Sequence, residues 1–369
     1  MILSRKHKNT IPRILFILKH RDNTFDCDRL HQYSCGGLGS GLLISTEFVA
    51  NMLTEKLGVI AKVEQIIDNN KIDAVVTKFK PDICIIEDYW VIPIKFEILH
   101  KRHPNVLWVI HNHSALPFIA QEGSVLDWTL DYIDCPNVII GCNDLRTVYD
   151  FRDLIQAYKF GWSSKKVEKH CVYLPNYYPQ IFSPKISTHS DIKLSIGCFG
   201  AIRPLKNLLT QAVAAIQFAS AINKKLEFHI NGTRKEVGGE PILKNIRALF
   251  SHITQYKLIE HPWLLHDDFI KLVRKMDLTL QCSFSETFNI VTADAVMNDV
   301  PVVVSSEIGW VDPRVFANPT DAHSMVEAMR EAMKLQHHSD HSNVQRLFEY
   351  NGISKKTWAG FIKNNTISR

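Results

Sequence analysis

Charge of one sign is scarce in this chain: 43 Lys+Arg exceed 38 Asp+Glu by only five. That surplus does not argue for a polyanion by itself, although it tolerates an anionic ligand. Long apolar runs are missing too, for no stretch approaches the ~20 residues that span a bilayer. Residues 11–18 are apolar but short, and Lys19-His20-Arg21 follow at once. This reads as a buried first strand behind a basic N-terminal tail rather than a signal peptide. The eight cysteines make no C-x-x-C pair and no finger-like cluster, and most sit in apolar runs such as Ile83-Cys84-Ile85, where a reduced thiol packs as a small hydrophobe. The expectation is a soluble cytoplasmic protein with no integral membrane association and no metal ligands. Sixteen glycines and 15 prolines exclude collagen-like and low-complexity classes, and 46% hydrophobic with 22% charged residues excludes disorder. Two phosphate-binding signatures are also absent. There is no G-x-x-x-x-G-K-[ST], and the cluster Gly36-Gly37-Leu38-Gly39 has Leu42 where G-x-G-x-x-G needs its third glycine. The cluster also begins 18 residues after Leu18, too far for a tight strand–turn–helix site.

What is present is a repeated alternation of short β-branched runs with amphipathic stretches. Strands are expected at 14–18, 83–87, 106–110, 138–140 and 172–174, with helices between them, such as 42–57 and 90–100. Continuous apolar strands separated by helices imply a parallel sheet covered on both faces. Turn chemistry at Pro175-Asn176-Tyr177-Tyr178-Pro179 and Ser183-Pro184-Lys185 interrupts the pattern, which restarts at Asp191. Strands follow at 193–199, 226–230, 279–281 and 300–304, and helices at 207–221, 242–250, 266–274, 288–297 and 321–335. The chain thus divides into an α/β domain over residues 1–185, a second over 186–340, and a C-terminal helical segment, 341–369, that folds back, with the first domain as one surface for it. Open α/β sheets bind ligands at the carboxyl ends of their strands, so the cleft between the domains is the expected site.

Three segments could carry chemistry there. The N-terminal glycines, Gly37 and Gly39 among them, offer backbone N–H groups to an anion or a sugar hydroxyl. Gly200-Ala201-Ile202-Arg203-Pro204-Leu205-Lys206-Asn207 lies between a strand and a helix, and two cations with a glycine at a helix N-terminus suit a diphosphate. Glu286 stands at a strand-to-helix turn with Asp294 eight residues later, about 12 Å along a helix axis. That spacing suits a ligand with hydroxyls at both ends. Taken singly, each segment also reads as an ordinary loop, a solvated basic turn, or a capping glutamate beside a solvated aspartate.

Together these residues resemble the GT-B glycosyltransferases of the GT4-like group, whose second domains carry G-R-L-x-x-x-K and then S-x-x-E-x-F-G-x-x-x-x-E-A-M-A-x-G-x-P-V-V. Gly200 and Lys206 keep the spacing, and Glu286, Phe288, Asp294, Ala295, Met297, Pro301, Val302 and Val303 fall at matching places. Pro175-Asn176 resembles the linker of that group, and Ser40-Gly41-Leu42-Leu43 with His113-Ser114 is similar to uncharacterised phage-encoded members. The resemblance is sharp over about 40 residues of the second domain. Four positions depart from it: Asp294 is a methylene shorter than the usual glutamate, Ala201 replaces an arginine, and Asn289 and Asp299 replace glycines.

The resemblance implies two Rossmann-like domains facing each other across a cleft. It implies transfer of a hexosyl or pentosyl group from a nucleotide diphosphate sugar, UDP-sugar favoured, to an acceptor hydroxyl, with retention and without a metal or other cofactor. Catalytic candidates are Glu286, His113, Lys206 and Arg203. Donor-binding candidates are Gly200, Asn207, Asp294, Phe288, Asn289, Gly37, Gly39 and Trp263, with Asp294 placed at the ribose hydroxyls. His111, Glu122 and Asn143 are acceptor-side candidates, and His113 is preferred over His111 for its place further along the loop. Two acceptors stay open: a hydroxymethylated pyrimidine in phage DNA, which would put the protein in a host cytoplasm, and a cell-surface glycan or lipid-linked sugar. A non-catalytic nucleotide-sugar binder is the rival class.

Overall fold

The structure is a computed structural model that describes residues 11–20, 40–182, 190, 192–252, 254–336 and 342–366. Among the described residues, eleven strands form two wholly parallel sheets. The first contains β1 (Arg13–Lys19), β2 (Ile60–Ile66), β3 (Ile83–Glu87), β4 (Leu107–Asn112), β5 (Val138–Cys142) and β6 (Cys171–Tyr173), in the order β2-β1-β3-β4-β5-β6. The second contains β7 (Lys193–Gly197), β8 (Lys225–Asn231), β9 (Tyr256–His261), β10 (Leu278–Gln281) and β11 (Val302–Val304), in the order β11-β10-β7-β8-β9. Alternate residues of the first sheet feed opposite cores. Leu15, Ile17, Cys84, Ile86, Trp108 and Ile110 enter one, and Ile14, Phe16, Ile83, Ile85, Leu107 and Val109 the other. Burial on both faces is why these strands read as unbroken apolar runs.

Two strands did not stand out in the sequence, and both lie at sheet edges. β2 carries Lys62 and Glu64, and β9 carries Lys257 and Glu260, so neither shows a continuous apolar run. Elsewhere the strands match the sequence expectation to within a few residues. The six described cysteines are free. Among the described residues, no helix is long and apolar enough to cross a membrane.

The direction of strand addition reverses between β1 and β3 in the first sheet and between β7 and β10 in the second. At such a reversal the following connections leave on opposite faces and open a crevice at the carboxyl ends. The carboxyl ends of these four strands, or the residues just after them, line one cavity.

The C-terminal helix Ser342–Thr366 joins the domains. Leu347 enters the core of the second domain, while Trp358, Phe361 and Ile362 enter that of the first. Trp358 is fully buried and donates its indole N–H to the carbonyl of Pro175 at 2.9 Å. Asn351 accepts from the Tyr178 N–H at 3.0 Å and donates to the Tyr178 carbonyl at 2.7 Å. The helix thus holds the linker between the sheets by its backbone. Trp358→Ala removes a large buried ring and one hydrogen bond, and is expected to lower unfolding free energy by about 3–5 kcal/mol. Urea denaturation followed by circular dichroism measures this, and a loss under 1 kcal/mol would remove the helix from its clamping role.

Candidate functional site

The cavity has a volume of about 750 Å³. The first domain contributes Lys19 at the end of β1, Glu87 and Asp88 at the end of β3, and His113 and Ser114 after β4; the second contributes Gly200, Arg203 and Lys206 after β7, and Ser285, Glu286 and Thr287 after β10.

Gly200 has φ +126°, a region that L side chains rarely adopt, and its N–H donates to Asn231 at 2.9 Å. A Cβ there would point at the Lys206 side chain, 3.8 Å away. Lys206 Nζ donates to Glu286 Oε1, and both side chains are largely buried. The two motifs that the sequence places 80 residues apart therefore meet as one ion pair on the cavity wall. Glu286 precedes the helix Ile290–Met297, whose N-terminus is capped by Asn289 accepting from the Thr292 N–H at 2.9 Å.

Two departures from the glycosyltransferase pattern acquire a physical reason. Asn289 has φ +56° and Asp299 has φ +58°. Each occupies the left-handed conformation that glycine fills most readily and that Asn and Asp tolerate best among the others.

Arg203 is not free to act alone. It donates to Glu236 at 2.8 Å, Arg234 donates to the same carboxylate at 2.9 Å, and the two guanidinium groups lie over Phe118 and Trp263 at 4.3 and 4.4 Å. Burial would raise the pKa of Glu236, but the two arginines outweigh it and lower it. Arg203 Nε is buried without a hydrogen-bond partner among the described residues.

On the facing wall, Glu87 is 2% exposed. Its Oε2 contacts His111 Nδ1 at 3.0 Å and His113 Nε2 at 2.5 Å, and His111 Nε2 donates to the Leu174 carbonyl at 2.9 Å. With Nε2 committed as a donor, His111 can bond Glu87 only as an imidazolium. Burial alone would raise Glu87, but the two histidines lower it to about 2; burial alone would lower His111, but Glu87 raises it. His113 lines the cavity, but both of its ring nitrogens are engaged, Nε2 by Glu87 and Nδ1 by the amide of Asn143 at 3.3 Å. Asn143 also donates to Thr287 Oγ1 at 3.1 Å, and Thr287 donates to the His113 carbonyl at 3.2 Å. These bonds, with Arg146 donating to the Glu286 carbonyl at 3.4 Å, tie the glutamate loop directly to the first domain. Glu87, His111 and His113 also bring three ligand atoms within 4.8 Å of one another, a set that could hold a metal ion. The sequence did not reveal it because Glu87 lies 24 and 26 residues from its partners, on a neighbouring strand.

The remaining candidates divide. Glu122 and Trp263 line the cavity, as does Asp294. Asn207 is buried and donates to the Cys282 and Pro319 carbonyls at 3.0 and 2.6 Å, so it braces the turn. Phe288 is buried and stacks on Trp310 and Tyr350 at 5.8 and 5.1 Å, and Asn289 caps its helix. His111 and Asn143 sit behind His113. None of these five lines the cavity. Gly37 and Gly39 lie outside the described residues, although Gly41, just beyond them, does line it. Sequence reasoning missed Glu87, Arg234, Glu236, Thr287 and His266; the Glu87-Asp88 pair at the end of an apolar strand was the one available signal.

No protein-family model and no curated protein matches the chain. Solved structures do. Sucrose-phosphate synthase from Thermosynechococcus elongatus is similar at 14% identity and a TM-score of 0.63, over 97% of this chain and 100% of that one. A UDP-forming α,α-trehalose-phosphate synthase from Burkholderia xenovorans is similar at 12% identity and 0.60, over 96% and 99%. A trehalose-6-phosphate protein of E. coli bound with UDP-2-fluoro glucose is similar at 13% and 0.59, over 96% and 99%. The fold is GT-B. Its two Rossmann-like domains face each other across the cavity, as the resemblance implied.

The Glu87–His111 pair gives a pH signature. Glu87 stabilises the fold fully above its unfolded value near 4.5, and that contribution disappears as pH falls toward about 2. The contribution of His111 is complete below 6.5 and disappears as pH rises through its raised folded value. The stability gap between wild type and Glu87→Gln is expected to be widest between pH 4.5 and 6.5, at about 3 kcal/mol. Urea midpoints across a pH series measure it, and a gap independent of pH would contradict the assignment.

Proposed function

We propose that this protein is a glycosyltransferase that moves a hexosyl or pentosyl group from a nucleoside diphosphate sugar, UDP-sugar favoured, to an acceptor hydroxyl. The observation that carries this reading is the Lys206–Glu286 pair, set between Gly200 and the N-terminus of helix Ile290–Met297 on the wall of the cavity. The neighbours of the same fold support it by their names, two of which mention UDP.

The chemistry follows from the charges. Breaking the bond between the anomeric carbon and the diphosphate oxygen leaves the electron pair on the diphosphate. Lys206 and the helix N-terminus meet that growing charge in a site largely shielded from water. A bound diphosphate draws Lys206 from Glu286, and the carboxylate then accepts from the sugar hydroxyls. The acceptor proton passes to the departing phosphate oxygen, which lies on the face of attack in a retaining transfer. These groups supply the electrostatic work without a metal, so the reading includes metal-independent transfer.

Arg203, Arg234 and Lys235 line the cavity and favour an acceptor that carries an anionic group. Hydroxymethylated DNA is the acceptor proposed first. A phosphorylated sugar, in keeping with the neighbours' names, is the second. A neutral glycan has less support from these cations.

The test is thermal shift with UDP-, GDP-, ADP- and TDP-sugars, then diphosphate release with hydroxymethyl-DNA and with hexose phosphates. Lys206→Ala is expected to abolish the shift, and Glu286→Gln to lower kcat/KM by roughly 10²–10³-fold. Added EDTA is expected to leave the rate unchanged. No shift with any donor, in folded protein, would overturn the reading. A shift with no release on any acceptor or water would make the chain a binder.

A further inference from the structure

One cluster on the wall facing Lys206 has no part in the transfer chemistry above. Glu87 ends β3, His111 lies within β4, and His113 follows it directly. The strand register sets Glu87 beside His111, and the two imidazole rings lie 4.3 Å apart. Glu87 Oε2, His111 Nδ1 and His113 Nε2 all lie within 4.8 Å of one another, with the carboxylate oxygen 3.0 Å from the first nitrogen and 2.5 Å from the second. A hydrogen sits in each of those two contacts. Four-coordinate zinc, with bonds of about 2.0–2.2 Å, holds its ligand atoms roughly 3.3 Å apart. Small rotations of the Glu87 and His113 side chains bring the three atoms to that spacing.

The supporting bonds suit ligation. His111 turns Nε2 to the Leu174 carbonyl at 2.9 Å, which leaves Nδ1 to the ion and fixes the ring, as metal-bound histidines favour. Glu87 is 2% exposed and belongs to a fully buried strand, so its carboxylate sits on a rigid frame. For His113 the exchange reaches further. Ligation through Nε2 moves its hydrogen to Nδ1, and the Asn143 amide, 3.3 Å away, then turns its oxygen to accept it. That turn gives up the bonds of the same amide to Asn176 at 2.8 Å and to Thr287 at 3.1 Å. The hydrogen on His111 Nδ1 leaves as a proton, so a divalent ion enters and one proton departs. Because Thr287 neighbours Glu286, a bound ion reaches the glutamate loop through Asn143.

The donor set selects among cations. Magnesium and calcium prefer oxygen ligands and find a single carboxylate in this set. Two imidazoles with one carboxylate suit zinc and neighbouring transition ions, and leave a fourth position for water. Glu87 and His113 line the cavity, so the ion is reached from it.

We propose that Glu87, His111 and His113 form a binding site for zinc or a transition-metal ion of its class, with the fourth position toward the cavity. The site is additional to the transfer chemistry, which Lys206 and Glu286 carry on the other wall. In metal-free protein the same atoms form the ion pair described above.

Binding is measured without a nucleotide, so its failure leaves the transferase reading untouched. Protein stripped with EDTA and dialysed is titrated with zinc chloride by calorimetry and with cobalt chloride by visible absorption. One ion per chain is expected, with the intense d–d bands of low-coordinate cobalt, and zinc displaces the cobalt while magnesium does not. His113→Ala, at a partly exposed side chain, is expected to weaken zinc by roughly a hundredfold or more, since loss of a supporting residue alone costs about 10–100-fold. His103→Ala, which removes a histidine bonded to Asp73 elsewhere on the first domain, leaves the affinity unchanged. Circular dichroism of the metal-free variants checks that they are folded. X-ray absorption at the zinc edge needs no variant, and is expected to show two imidazoles and no sulfur around the ion. The site is overturned by no saturable binding of either ion, by displacement of cobalt by magnesium, by zinc affinity retained in His113→Ala, or by a cysteine sulfur bound to the zinc.

Discussion

Most charges in and behind the walls of this cavity have a partner of opposite sign, and the site is organised around that constraint. Lys206 is held by Glu286, Arg203 and Arg234 by Glu236, His266 by Asp294, and His111 by Glu87. The groups are mostly buried, and an unpaired ion there would cost several kcal/mol in desolvation. Binding an anionic ligand is consequently an exchange of partners rather than the filling of a bare cationic hole. Lys206 can release Glu286 to a diphosphate only if Glu286 then finds donors, and the hydroxyls of a sugar are such donors. The two requirements are met by one molecule when phosphate and sugar are covalently joined. A free phosphate or a free sugar would satisfy one half of the pair and strand the other.

The same logic separates the two walls. Lys206 and Glu286 belong to the second domain, so their exchange needs no movement of the first. Thr287, next to Glu286, is nonetheless bonded to the His113 carbonyl and the Asn143 amide across the cleft, and Arg146 holds the Glu286 carbonyl from the first domain. A shift of Glu286 on ligand binding is therefore transmitted to the opposite wall through adjacent backbone. The helix Ser342–Thr366 limits how far the domains respond, because it is rooted in both cores and grips the linker at Pro175 and Tyr178. Tyr178 is gripped by its backbone and bonds Asp294 with its side chain, so one residue joins the linker clamp to the cavity wall.

How much of this was legible in the sequence follows from distance along the chain. The central strands were readable because burial on both faces makes them continuous apolar runs, as in Ile83–Glu87. The edge strands β2 and β9 alternate with charges and were not. Gly200 was readable because its positive φ favours glycine, whereas Lys206 and Glu286 stood out by resemblance and not by any local constraint. Their pairing across 80 residues could be guessed only from resemblance. The partners of Glu87 and Asp294 left no local trace, since a buried carboxylate takes whichever cation the folded chain brings to it.

Asp294 stands where the glycosyltransferase pattern has a glutamate, and its carboxylate is taken up by the protein itself. Shortening the side chain by one methylene withdraws the carboxylate toward its own helix, where it is 1% exposed. A charge so withdrawn needs donors from the protein, and Tyr178 and His266 supply them at 2.7 and 2.8 Å. Phe48 lies edge-on to that imidazole from the opposite domain, so the orientation of the ring also depends on the two domains staying together.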